Sequence, residues 1–228
     1  ATMKTTRRRP SSSPLARARA VVARASDDAT RCALTTSVIA STLEDARRDA
    51  RDAAEKGADI VELRVDFLGA ATRVADALET LIDACPVPVI VTYRPTWEGG
   101  QYDGDESERL ATLWRAHELG AAYVDCEVAA AERFFAAKPA SADGKTSPTK
   151  IILSSHNYEE TPSDEELRRI HDECLRAGAD IVKMASMCVD VEDVARLERL
   201  LRETRDAACE TIVLGMSEHG QVSRLLAA

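Results

Sequence analysis

Lys183 stands inside the run 178–185 (GADIVKMA), whose apolar, β-branched centre reads as a short buried parallel strand. Parallel strands are covered on both faces, so an ammonium there costs several kcal/mol, roughly, unless it is paired or gives up its proton. A lysine that gives up its proton is a nucleophile, and its common use is imine formation with a ketone or aldehyde. This window alone leaves open the plainer reading, a strand-end lysine whose head snorkels to water. Other reactive groups hold comparable places. His156 ends the apolar run 150–156, Glu62 and Arg64 belong to IVELR at 60–64, and Arg94 ends IVTYR at 90–94. Glu98 opens a Glu-Gly-Gly, and Arg224 follows Ser223 near the end of the chain. An imidazole shuttles protons near pH 7, and a carboxylate such as Glu98 orients the ring and stabilises its cation. Guanidiniums expect an anionic substrate, because their fork matches a carboxylate. The set supports imine formation, proton removal beside the imine and loss of a β leaving group. Burial and neighbouring cations both lower a lysine pKa, so Lys183 is expected to be a free amine.

The elements that must position these groups repeat one pattern: a short apolar strand, a polar loop, an amphipathic helix. Strands are predicted at 32–39, 59–64, 87–94, 122–127, 150–156, 180–184 and 211–216, with starts about 30 residues apart, the size of one βα unit. Ser41 with Glu44 and Ser163 with Glu166 fit the capping box, and Asp190 is placed to cap a helix from Val191. Gly57, Gly120 and Gly178 fall just past predicted helix ends. The stretch 137–149 reads as a surface loop. Alternating β and α without hairpin signals means a parallel sheet. Side-chain alternation then puts Glu62 with Arg64, Thr92 with Arg94, Ser154 with His156, and Ile181 with Lys183 on common faces, polar residues gathering at the carboxyl ends of strands. Charges sent one way by so many strands fit the mouth of a (β/α)8 TIM barrel better than an open doubly wound sheet. Asp125 and Glu127 share a strand face too, and line the barrel or pair structurally.

The chain of 228 residues carries 30 basic and 39 acidic side chains, a net charge of −9. Seven of the basic residues and none of the acids lie in residues 1–26, so the remainder is more acidic than the total suggests, which argues against nucleic acid as a partner. Residues 1–26 are rich in Arg, Ser and Ala and lack a long apolar core, the composition of a disordered organelle transit peptide; 27–228 then forms the barrel. No run is long enough for a transmembrane helix. The six cysteines show no CxxC spacing and no histidine at ligand spacing, and no GxxxxGK loop occurs, so no metal, disulfide framework or cofactor is expected.

Glu62-Leu63-Arg64-Val65-Asp66, Thr92-Tyr93-Arg94 with Glu98-Gly99-Gly100, His156-Asn157-Tyr158 with Thr161-Pro162, Val182-Lys183, and Gly215-Met216 through Ser223-Arg224 resemble, in order and spacing, the type I 3-dehydroquinate dehydratases. The stretch 93–106 (YRPTWEGGQYDGDE) is similar to the plant and algal form, in which the domain is fused to a following shikimate dehydrogenase. The resemblance covers about residues 34–226. It implies conversion of 3-dehydroquinate to 3-dehydroshikimate by a hydro-lyase that uses no cofactor. Lys183 would form the Schiff base, His156 would be general acid and base, and Glu98 would pair with His156. Glu62, Arg64 and Arg94 would hold ring hydroxyls and polarise the site, Arg224 the carboxylate, and Leu214 and Met216 would line the ring pocket. Asn157 stands where bacterial members usually have Asp. The resemblance also implies that the eighth βα unit, with a Ser and a Gln contacting substrate, lies beyond Ala228, that a dehydrogenase domain follows it, and that the protein is plastid-targeted, or cytoplasmic if the leader reading fails. Two rivals stay open: another Schiff-base barrel such as a class I aldolase, and a non-catalytic barrel that senses a metabolite.

Overall fold

Seven parallel strands alternate with helices in the computed structural model, which describes residues 32–69, 72–140, 148–205, 207 and 209–226. The leader expected at 1–26 and most of the loop at 137–149 lie outside the described residues. The strands are β1 (Thr35–Val38), β2 (Ile60–Arg64), β3 (Val89–Thr92), β4 (Tyr123–Glu127), β5 (Lys150–Asn157), β6 (Ile181–Met187) and β7 (Glu210–Met216). Between and after them come α1 (Leu43–Glu55), α2 (Val74–Ala84), α3 (Glu106–Glu118), α4 (Ala131–Ala136), α5 (Asp164–Ala177), α6 (Val191–Glu203) and two four-residue turns of helix, α7 (Ser217–Gly220) and α8 (Ser223–Leu226). Strand order follows chain order from β1 to β7, the arrangement of a TIM-barrel-like α/β fold; among the described residues β1 and β7 have one strand neighbour each. No helix among them is long and apolar enough to cross a membrane.

Local chemistry sets most of these ends. The Ser163 hydroxyl accepts from the Glu166 N–H, and Asp190 accepts from the Asp193 N–H, each satisfying an orphan donor of a first turn. At α1 the cap falls one residue later than predicted: Thr42 is extended and accepts from the Asp45 N–H, while its own hydroxyl donates to Asp45. Two overlapping capping sequences compete there, and the one ending in Asp45 prevails. β1 is shorter than the alternation suggests because the Leu34 N–H turns to the Asp59 carboxylate. β6 runs three residues longer, since pairing with β7 persists in register to Met187 and Met216.

The parallel register keeps parity from strand to strand, so alternate residues form rings. Outward-facing Val61, Val91, Val124, Leu153, Val182 and Val213 are all buried beneath the helices. Full burial of such a side chain stabilises by about 1.5–3 kcal/mol relative to exposure. Inward-facing Ile60, Ile90, Tyr123, Ile152, Ile181 and Ile212 pack into a separate apolar cluster at the amino ends of the strands. Two residues further along β2 to β6 the inward ring turns polar, while β7 contributes Leu214.

Candidate active site

That polar ring contains Glu62, Thr92, Asp125, Ser154 and Lys183, with Ser37 of β1 beside Glu62. Lys183 Nζ donates to Glu62 Oε1 at 3.0 Å and to Asp125 Oδ2 at 2.9 Å. Glu62 Oε1 also accepts from Thr92 Oγ1 at 2.9 Å, and the Ser37 hydroxyl donates to its other oxygen. The prediction of a free amine is corrected here. Burial does work against the ammonium, but Asp125 and Glu62 outweigh it and raise the Lys183 pKa. The nearest charges are carboxylates, and the nearest cation, Arg94, is already neutralised by its own partners. Burial likewise opposes the ionised form of Asp125, yet Arg94 and Lys183 hold its carboxyl well below the usual range.

Arg94 follows β3 and is 2% exposed. Its Nη2 donates to Asp125 Oδ1 at 2.8 Å, and its Nη1 to Glu127 Oε1 at 2.7 Å and Ser154 Oγ at 2.8 Å. These donors bind the barrel's own Asp125, Glu127 and Ser154. Arg64 is half-buried and forks onto Asp66, Nε to Oδ1 at 2.9 Å and Nη2 to Oδ2 at 2.7 Å, while the Gln101 N–H donates to Asp66 from the loop after β3.

That loop brings Glu98 to His156. After Arg94 the chain makes a short 3-10 turn, Thr96–Glu98, closed by Gly99 at φ 75°. Gly100 lies so close to the Arg94 carbonyl that a Cβ would fall 2.0 Å from its oxygen, so only glycine lets the loop fold back this far. Glu98 Oε1 then meets both His156 Nδ1, at 2.8 Å, and the His156 backbone N–H, at 3.1 Å. Burial, helped by Arg94, pushes His156 down to about 3, and burial pushes Glu98 up to about 8. Between those values the imidazole is uncharged and Glu98 carries the pair's one titratable proton; the tautomer whose own N–H sits on Nδ1, facing Glu98 Oε1, has Nε2 as a base. His156 is on β5 next to β6 and one inward layer beyond Lys183, since Ser154 pairs with Lys183 and His156 with Ala185. The Tyr158 ring lies parallel to the His156 ring at 6.2 Å and covers Gly99.

Arg224 stands apart from this cluster. It is exposed on α8, and its Nη1 donates to the Gly215 carbonyl at 2.8 Å; the Ser223 hydroxyl accepts from the Gly215 N–H at 2.8 Å. Two short helical turns, Ser217–Gly220 and Ser223–Leu226, carry the chain past β7. Leu214 and Met216 on β7 share the inward parity and are half-buried. Asn157 Oδ1 accepts from the Glu159 and Glu160 N–H groups, a task that Asn and Asp perform alike. Asp105 caps α3, while His171 is buried against Thr211 and His219 is exposed on α7. Among the described residues no group of three or more His, Cys, Asp or Glu side chains is gathered to hold a metal.

Asp125 belongs to the centre of the site, and its signal was available: the alternation that paired Glu62 with Arg64 also turns Tyr123, Asp125 and Glu127 one way. Arg109 gave no such signal. It lies on α3, is fully buried, and reaches Glu127 Oε2 at 2.7 Å.

Comparison with known proteins places this arrangement. Residues 34–228 match the family described as type I 3-dehydroquinase. The bifunctional 3-dehydroquinate dehydratase/shikimate dehydrogenase, chloroplastic, of Arabidopsis thaliana is 46% identical over 146 residues, which cover 64% of this chain and 23% of that protein. The 3-dehydroquinate dehydratase of Desulfotalea psychrophila is 35% identical over 147 residues, 63% of each chain. The chain thus spans under a quarter of the plant relative and under two thirds of the bacterial one. The crystal structure of 3-dehydroquinate dehydratase from Geobacillus kaustophilus superposes with a TM-score of 0.75 at 27% identity, covering 87% of this chain and 79% of that one. With most of its length matched, the chain belongs to the type I 3-dehydroquinase family.

Proposed function

We propose that this chain dehydrates 3-dehydroquinate to 3-dehydroshikimate through a Schiff base on Lys183. The observation that carries the reading is a lysine amine held at the barrel axis by two carboxylates, beside a strand whose histidine has a carboxylate of its own. The ammonium first yields a proton, for which the neutral His156 imidazole is the acceptor one layer away. Nζ attacks the substrate ketone, and the carbonyl oxygen leaves as water on taking that proton back from His156, which forms the protonated imine and leaves the imidazole neutral again. His156 removes a proton from the carbon next to the imine. The resulting enamine expels the β-hydroxyl, which leaves as a second water on receiving that proton from His156. Hydrolysis of the imine consumes one water and restores the amine, so the net change is loss of one water. Glu98 holds the Nδ1 side of the imidazole in both steps. Arg64 and Arg224 meet the anionic and hydroxylated parts of the substrate, and Leu214 with Met216 faces the ring. Arg94 acts on Lys183 through Asp125.

The name of the plant relative supports two wider readings: a leader over residues 1–26 that directs the protein to a plastid, and a shikimate dehydrogenase domain following the barrel unit of 27–228. The central test is covalent. Incubation with 3-dehydroquinate and borohydride should leave a reduced adduct on the peptide containing Lys183, and His156→Ala should cut kcat by roughly 10²–10⁴-fold while still binding substrate. An adduct confined to another lysine would sink the mechanism.

A further inference from the structure

We infer that Glu127 and Arg109 are positioning residues for Lys183, setting the charge on its amine through a buried file of alternating ion pairs that runs from the barrel axis out to α3. This rests on the reading of Lys183 as the reacting amine. The file begins with Lys183 Nζ, 2.9 Å from Asp125 Oδ2. Asp125 Oδ1 is 2.8 Å from Arg94 Nη2, and Arg94 Nη1 is 2.7 Å from Glu127 Oε1. Glu127 Oε2 is 2.7 Å from Arg109 Nη1, and Arg109 forks onto Glu106 through Nε and Nη2 at 2.7 and 2.8 Å. Asp125, Glu127 and Arg109 are each fully buried; Glu106, at the start of α3, reaches partial exposure. Little water enters to screen such a file, so a charge removed at one position is felt at the next.

Arg94 is the divider. Its Nη2 serves Asp125 while its Nη1 serves Glu127 and Ser154, with Glu98 Oε1 3.8 Å away, so the hold of Glu127 on it influences how much of its cation bears on Asp125, the carboxylate shared with Lys183. Without the Glu127 charge, more of the Arg94 cation bears on Asp125, and the Lys183 ammonium loses support. Burial pushes the Glu127 carboxyl up, and Arg94 on one oxygen and Arg109 on the other oppose that rise. The groups facing Lys183 are Glu62 from β2, Arg94 from the end of β3, Asp125 from β4 and His156 from β5. All four stay intact in the variants below.

The test uses the intact enzyme, propionaldehyde and cyanoborohydride, with alkylation of the Lys183 peptide followed by mass spectrometry from pH 7 to 10. Below the amine's midpoint the rate tracks the free-amine fraction, and no 3-dehydroquinate is involved. Glu127→Gln should raise the rate about tenfold at fixed pH, a midpoint lower by about one unit. Glu127→Gln combined with Arg109→Met removes one charge of each sign and should return the rate to within about twofold of the parent. If the double variant shifts as far as the single one, or neither moves, the inference is overturned. A mere packing role predicts that the pair of changes lowers thermal stability further and leaves both rates alone. Should Glu127→Gln not fold, Glu106→Gln at the outer end frees Arg109 of its second carboxylate and should raise the rate about twofold; an unchanged rate there also overturns it. If 3-dehydroquinate fails to trap Lys183 in the parent while the aldehyde rates behave as stated, the functional reading falls and the file stands.

Discussion

Ile181 and Lys183 sit two residues apart on β6 and point the same way into the barrel, yet their surroundings have nothing in common. Ile181 packs among Ile60, Ile90, Tyr123 and Ile152, while Lys183 lies among Glu62, Asp125, Thr92 and Ser154. About 6–7 Å of strand rise separates the two layers. The lower one closes the barrel to water from the amino ends of the strands. That closure makes the upper layer electrostatically strong, because charges stacked on a dry floor are poorly screened. The same closure obliges every charge above it to find a partner, and Lys183, Asp125, Glu62, Arg94 and Glu127 all do.

Removing the lysine should break the upper layer in two ways. Lys183→Met is expected to abolish imine trapping and turnover, and it leaves Glu62 and Asp125 without the cation they share. Stripping one partner from a buried ion pair costs about 3–5 kcal/mol at neutral pH. Part of that loss should be recovered as the pH is lowered and Glu62 takes up a proton. Urea unfolding at pH 5 and pH 7 reads both effects; a variant as stable as the parent at pH 7 would mean that the carboxylates do not depend on the amine.

The lower layer should respond differently. Ile181→Ala removes a buried aliphatic side chain from the cluster and should cost about 2–5 kcal/mol through lost burial and the cavity left behind. The cost should be the same at pH 5 and pH 8, and folded protein should still trap substrate on Lys183. A pH-dependent cost, or loss of trapping in a sample shown to be folded, would mean that the two layers are not separable.

How much of this was legible from the chain follows from the same contrast. Period-two alternation is a local property, so the strands, their inward faces and the gathering of Glu62, His156 and Lys183 could be read directly. Parallel pairing preserves parity from strand to strand, which is why reading each strand alone sufficed. The charge state of Lys183 was not legible, because it depends on which charges lie nearest, and that is set by register: Asp125 comes opposite Thr92 and Ile152 only once β3, β4 and β5 are paired. The bonding partners of Arg94 were not legible for a related reason. Alternation gives the side its side chain takes but not whether its donors end in the mouth or on Glu127. Arg109 looks like any helix-surface arginine, and only the packing of α3 against the ends of β3 and β4 shows its head at Glu127 and the Tyr93 carbonyl.

The smallest expected effect concerns the His156–Glu98 pair at the rim of the upper layer, and it turns on proton counts. His156 is lowered from 6.5 to about 3 in the folded chain, so its contribution to stability is complete above pH 6.5 and is lost as pH falls towards 3. Glu98 is raised from 4.5 to about 8, so its contribution is complete below pH 4.5 and is lost as pH rises through 8. Folded, the pair keeps one proton across that whole range. Unfolded, the two groups hold two protons below 4.5, one between 4.5 and 6.5, and none above. The pair's contribution is therefore flat from about pH 4.5 to 6.5 and falls by on the order of 1 kcal/mol per pH unit on either side. Glu98→Gln removes the decline above 6.5 and leaves the histidine's rise between 3 and 6.5. Relative to the parent, the variant should gain stability steadily from pH 5 to pH 8, which urea midpoints at pH 5, 6.5 and 8 would show. A difference that stays constant across those three values would mean that the rim pair exchanges its proton with solvent as exposed groups do, and that the dry floor beneath Lys183 does not extend its influence to His156.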